Sequence, residues 1–97
     1  VKLNVGGQLF CTSLGTLTKV RGFPKRSFLS AMFSGRFSVE PDEDGEYFID
    51  RSPTHFGLIL DYLRTSHLDL SGLSVGQVDA LMREVQYYQI SSLQQRL

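Results

Sequence analysis

The chain has 97 residues, 41% of them hydrophobic and 21% charged, and its ten basic and ten acidic side chains balance to a formal net charge of zero. That size supports a single domain, residues 1–97, with one modest core, and the charge balance speaks against nucleic acid or an anionic membrane as a partner. No apolar run approaches the roughly 20 residues that span a bilayer, no basic stretch followed by an apolar one suggests a signal peptide, and the single cysteine, Cys11, cannot form an internal disulfide, so a reducing, soluble compartment is expected.

"VKLNVGGQLFCT" alternates, with Val1, Leu3 and Val5 expected on one side and Lys2 and Asn4 on the other. Gly6-Gly7 then joins two short strands as a β-hairpin, because tight primed turns require positive φ. Ser13 is placed to cap a short helical turn carrying Leu14 and Leu17, and Gly22 and Pro24 break it. In "SFLSAMFSGRF", Ser27 starts a helix whose apolar face is Phe28, Leu29, Met32 and Phe33, and Gly35 ends it. "SVEPDEDGE" is a polar loop with a turn at Asp44-Gly45, leading into the short strand "EYFID".

From Pro53 the period changes to that of a helix: Phe56, Ile59, Leu60 and Leu63 share a face, Asp61 and Arg64 lie away from it, Ser52 is expected as the cap and Pro53 as the first helical residue. A second amphipathic helix begins at Ser74 with Val78, Leu81, Met82 and Val85. A last segment begins at Ser91 or Ser92 in a capping-box pattern, with Leu93 and Leu97 on one side.

Each candidate for chemistry fails on spacing. In a calcium-loop register Glu40, Asp42 and Asp44 fall on ligand positions, but the closing bidentate Glu is replaced by Arg51. Cys11, His55 and His67 show no zinc-ligand spacing, and Cys11 reads as a small, partly buried hydrophobe. Ser52 and His55 could touch, yet the cap position claims the Ser52 hydroxyl. Gly6-Gly7 lacks the frame of a phosphate loop, and Tyr87-Tyr88 has no basic cluster beside it to hold a nucleic acid backbone. The catalytic and metal sets are therefore empty, and no cofactor is expected. What survives is Asp50-Arg51 at a strand-to-helix joint, where Arg51, with its planar fork, is the better candidate to clamp a carboxylate of another protomer.

The strings "LNVGG", "TSLGTL", "FLSAMFSGR", "EDGEYFIDR", "PTHFGLILDYLRT", "LDL" and "EVQYYQISSL", in this order over the whole chain, resemble the BTB domain of the potassium-channel tetramerisation-domain-containing (KCTD) family. That family is itself similar to the tetramerisation domain of voltage-gated potassium channels. The resemblance implies an α/β (α+β) BTB/POZ fold: a small, mainly three-stranded sheet with an N-terminal β-hairpin, flanked by about five helices. It implies no enzymatic activity, self-assembly into a closed ring with a homo-pentamer favoured over a tetramer, and a role as the cullin-3-binding part of a ubiquitin-ligase substrate adaptor. The substrate would bind outside this chain, and the expected location is the cytoplasm, with the nucleus as a second.

The alternative is a pure oligomerisation module of a channel or receptor auxiliary subunit, or a channel tetramerisation domain, without cullin binding. The lone Cys11 departs from the paired-cysteine zinc motif of many non-Shaker channels, and "DEDGEYFIDRSPTHFGLILDYLR" looks closer to the KCTD proteins, especially those serving Rho-type substrates. The residues expected at the self-association interface are Asp50, Arg51, Asp61 and Arg64, with Asn4 and Thr12. A closed ring needs such charges of both signs distributed over two sides of the protomer. For cullin-3 they are Phe37, Val39 and Glu40 in the 34–45 loop, where an exposed aromatic would serve as an anchor, then Tyr87 and Gln89.

Overall fold

The computed structural model describes residues 1–18 and 40–90. The expected helix from Ser27, the candidates Phe37 and Val39, and the final segment with Leu93 and Leu97 lie outside the described residues. Three strands, β1 (Lys2–Val5), β2 (Gln8–Cys11) and β3 (Glu46–Ile49), form a mixed sheet in the order β2-β1-β3. β1 and β2 pair as the antiparallel hairpin that Gly6-Gly7 predicts, with φ of 57° and 102° at the two glycines, and β3 joins β1 in parallel. This is the α/β architecture expected from the sequence.

Three helices accompany the sheet among the described residues: α1 (Leu14–Thr18), α2 (Phe56–Thr65) and α3 (Val75–Tyr88). Ser13 caps α1, its Oγ accepting from the Thr16 amide at 3.1 Å. Ser74 caps α3 and, with Gln77, closes a capping box in which each side chain bonds the other residue's backbone N–H. Before β3, Asp42 Oδ1 accepts from the amides of Asp44 and Glu46, both at 2.9 Å, and Gly45 takes φ of 78°, so the acidic loop is a side-chain-tied turn.

The helix after β3 starts later than expected. Ser52 is not its cap: its hydroxyl donates to Thr54 Oγ1 at 3.1 Å and accepts from the Thr54 amide, closing a small turn of its own. His55, with non-helical φ and ψ, occupies the N-cap without a side-chain cap bond. Residues 53–55 instead form a tight turn, closed by the Phe56 amide on the Pro53 carbonyl at 3.1 Å. That turn brings Phe56 round into the core before the regular ladder begins.

The core lies between the inner side of the sheet and the helices. Leu3, Val5 and Ile49 meet Leu17, the α2 stripe of Phe56, Ile59, Leu60 and Leu63, and the α3 stripe of Leu81, Val85 and Tyr88. Each of these side chains, taken fully out of water, contributes roughly 1.5–3 kcal/mol before its ordering entropy is subtracted. Aromatic rings run through this core in series: Phe10 to Phe56 at 4.9 Å between centroids, Phe56 to Tyr88 at 5.3 Å, and Tyr88 to Tyr87 at 5.1 Å.

Two expectations along the hairpin and α1 change. Cys11 is exposed, because its strand position points outward, and Phe10 takes the inward place beside it. Val1 and Leu14 are exposed as well, so only Leu3, Val5 and Leu17 of their sets enter the core.

Candidate protein-interaction site

The strand-to-helix joint, residues 50–55, is held from two directions. From the hairpin, the Gly6 amide donates to the Ile49 carbonyl at 2.9 Å, and the Arg51 amide donates to the same oxygen at 2.9 Å. Gly6 approaches so closely that a Cβ there would stand 2.3 Å from the Arg51 carbonyl oxygen and 3.1 Å from Pro53 Cδ. Glycine at this position therefore serves both the turn's positive φ and the contact with the joint.

From α3, Glu84 receives Arg51 in a fork: Nε donates to Oε1 at 3.1 Å and a terminal nitrogen donates to Oε2 at 2.7 Å. The side chains are 31% and 13% exposed, so this pair is shielded enough to exceed an ordinary surface ion pair. The guanidinium also stands 4.2 Å over the Tyr87 ring, within cation–π range. The Glu84 hydrogen bond pushes the Arg51 guanidinium further above its already high pKa, against the opposing effect of burial. Burial pushes the Tyr88 phenol up, so the ring stays neutral.

The remaining expected interface residues are spread over both layers. Asp50 is exposed and has no partner among the described residues. Asp61 is exposed and 3.6 Å from Arg64, which also donates to the Cys11 carbonyl at 2.9 Å and so ties α2 to the outer strand. Asn4 bridges the hairpin, its Oδ1 accepting from the Gly7 amide at 2.8 Å and its Nδ2 donating to Glu46 at 3.4 Å. The Thr12 hydroxyl oxygen is buried with no hydrogen-bond partner among the described residues.

Of the candidates for a second partner, Glu40 is exposed. Tyr87 is 38% exposed beside Arg51. Gln89 is exposed and ends α3 in a left-handed conformation.

The structure thus brings Arg51 and Tyr87 together, leaves Asp50 beside them, and sets Asp61, Arg64, Asn4 and Thr12 elsewhere. The residue that the sequence reading passed over is Glu84, whose partner is 33 residues away. A signal was present: Glu84 follows Leu81 by three and precedes Tyr88 by four, so an acid flanks a buried stripe and requires a counter-charge. Among the described residues no helix is long and apolar enough to cross a membrane.

A family model described as BTB/POZ domain matches residues 1–97. The chain is 47% identical over 93 residues to the BTB/POZ domain-containing protein KCTD21 of Homo sapiens, which covers 96% of this chain and 34% of that protein. It is 45% identical over its full length to human BTB/POZ domain-containing protein KCTD3, of which that is 11%, and 44% identical over its full length to the SH3KBP1-binding protein 1 of Bos taurus, of which that is 13%. The chain spans about a third or less of the length of these relatives.

Proposed function

The chain belongs to the BTB/POZ domain family of the potassium-channel tetramerisation type, an oligomerisation and protein-interaction module, and on that premise we propose that it assembles copies of itself into a closed ring and serves as the cullin-3-binding part of a ubiquitin-ligase substrate adaptor. It has no enzymatic activity of its own in this reading and works in the cytoplasm. The observation that carries the reading is the chain-long match to a BTB/POZ family model and to relatives of which two are named for this domain and a third for a protein it binds.

The joint supports self-association in a particular way. Arg51 already has its carboxylate, in Glu84 of the same chain, so its part in assembly is to hold the joint rigid while the exposed Asp50 beside it meets the neighbouring protomer. Asp61, Arg64, Asn4 and Thr12 complete the expected contact set. A pentamer is favoured over a tetramer. Cullin-3 is assigned to the 34–45 loop through Phe37, Val39 and Glu40, and to Tyr87 and Gln89 at the end of α3, where Arg51 fixes the tyrosine ring in place.

The test is the mass of the purified chain, by sedimentation or light scattering at low micromolar concentration, with and without the N-terminal region of cullin-3. A five-fold mass that grows in the presence of cullin-3, and fails to grow in Phe37→Ala, is the expected result. A ring that ignores cullin-3 identifies the second reading, an oligomerisation module of a channel or receptor auxiliary subunit. A monomer at every concentration removes both.

A further inference from the structure

The strand-to-helix joint holds a short motif that neither the fold nor the ion pair uses. Of the three prolines, Pro24 follows Phe23 and Pro41 follows Glu40, so Ser52-Pro53 is the chain's one Ser-Pro or Thr-Pro step. Ser52 is exposed, as are Asp50 and Thr54 on either side of it. Its hydroxyl does not cap α2. It donates to Thr54 Oγ1 at 3.1 Å and accepts from the Thr54 amide at 3.4 Å, both within its own turn. The following proline biases Ser52 toward extended backbone, the form in which a kinase cleft takes a substrate segment.

This turn is tied only to itself and to the helix it leads into. Among the described residues, hydrogen bonds of residues 52–55 run only to partners within residues 52–59. The bonds that lock the joint to the hairpin and to α3 belong instead to Gly6, Ile49, Arg51 and Glu84. A surface turn held by a few exposed bonds opens locally, so Ser52 can be drawn into an enzyme while the Arg51–Glu84 fork stays closed.

Positive charge is at hand for a phosphate on this hydroxyl. Arg51 gives Glu84 its Nε and one terminal nitrogen, while the other, Nη1, donates to no described residue, and the side chain is 31% exposed. The first turn of α2 contains no acidic residue, and the amides of His55 and Gly57 donate to no described residue. Both features favour a dianion just ahead of the helix. Asp50, the acid nearest in sequence, is exposed, so its repulsion is screened by solvent.

We propose that Ser52 is a phosphorylation site, modified by a proline-directed Ser/Thr protein kinase with ATP as the phosphoryl donor. Ser52 Oγ attacks the γ-phosphorus, the new Oγ–P bond replaces the bond to ADP, which leaves, and the hydroxyl proton passes to the kinase's base. The product carries about two negative charges at neutral pH, enough to change what the surface around Asp50 attracts without opening the core. The proposal rests on the surroundings of Ser52 and holds whether or not the chain assembles with itself.

The test incubates the purified 97-residue chain with ATP, magnesium and a proline-directed kinase of the mitogen-activated class, and reads the product by mass spectrometry. One phosphoryl group on Ser52 is expected, at a rate within about tenfold of that on a peptide of residues 46–60, which presents the motif free of the fold. Ser52→Ala should abolish the label, Ser52→Thr restore it, and Pro53→Ala slow it about tenfold or more, in the peptide as in the chain. A labelled peptide beside an unlabelled folded chain overturns the proposal, because the fold then closes the site. An unlabelled peptide, or a label that survives Ser52→Ala, overturns it too. In a phosphorus NMR titration the second pKa of the phosphate, about 6 in an unstructured chain, should lie clearly lower in the folded chain than in the peptide. Equal values overturn the placement of the phosphate beside Arg51 and α2.

Discussion

Arg51 and Glu84, 33 residues apart in sequence, meet through two hydrogen bonds of 3.1 and 2.7 Å that tie the strand-to-helix joint to the last turns of α3. Removing either partner leaves the other charge poorly solvated. Glu84→Ala and Arg51→Ala are each expected to cost about 1–3 kcal/mol in urea unfolding. Their double-mutant cycle should show a coupling of about 1 kcal/mol or more, and a coupling near zero would reduce the pair to a surface contact. Arg51→Glu should lower the oligomer mass and the unfolding midpoint together, since the residue acts through the joint.

Gly6 and Gly7 share a turn and both have positive φ, yet only Gly6 has a neighbour against it. Gly6→Ala should therefore destabilise the domain well beyond Gly7→Ala. The latter carries a backbone penalty of roughly 1 kcal/mol, and the former adds a backbone clash that forces the hairpin away from Arg51. Thermal melts of the two variants compare them directly, and equal losses would refute the close approach.

Ser74 and Gln77 each bond the other's backbone at the start of α3. Ser74→Ala should cost about 1 kcal/mol, with Ser74→Asp retaining most of the stability. Ser52→Ala, at the position where a cap was expected, should cost less than Ser74→Ala, because the Ser52 hydroxyl closes only a local turn.

Tyr88 is buried and its phenol is pushed above its usual range. A raised folded-state pKa means stability that is fully present below the unfolded-chain value of about 10 and is lost as pH rises toward the folded value. Unfolding free energy should thus fall above about pH 10, this group contributing a slope of about 1.4 kcal/mol per pH unit. In Tyr88→Phe that component should be missing. An unchanged alkaline limb would place its origin elsewhere.

Much of the fold was legible because its cause is local. Alternation across Gly6-Gly7 specifies a hairpin, the Phe56 to Leu63 spacing specifies a buried helix face, and Ser13 and Ser74 mark helix starts by the hydrogen bonds their hydroxyls can make. Ser52 misled because a hydroxyl before proline has two local uses. The choice between them depended on how Phe56 had to reach Phe10 and Tyr88, a requirement of the core. Cys11 misled likewise: its strand was predictable, but which of Phe10 and Cys11 faced inward depended on pairing register with β1.

The order of residue types along the chain is enough to place the hairpin and the amphipathic stripes, since each depends on spacing within a few residues, and short strings kept in order over the whole chain are enough for the family. The destination of Arg51 is different in kind. Its fork could be drawn to any carboxylate within reach, and only the packing of α3 against the joint delivers Glu84 at 2.7 Å and stations Tyr87 beneath the guanidinium.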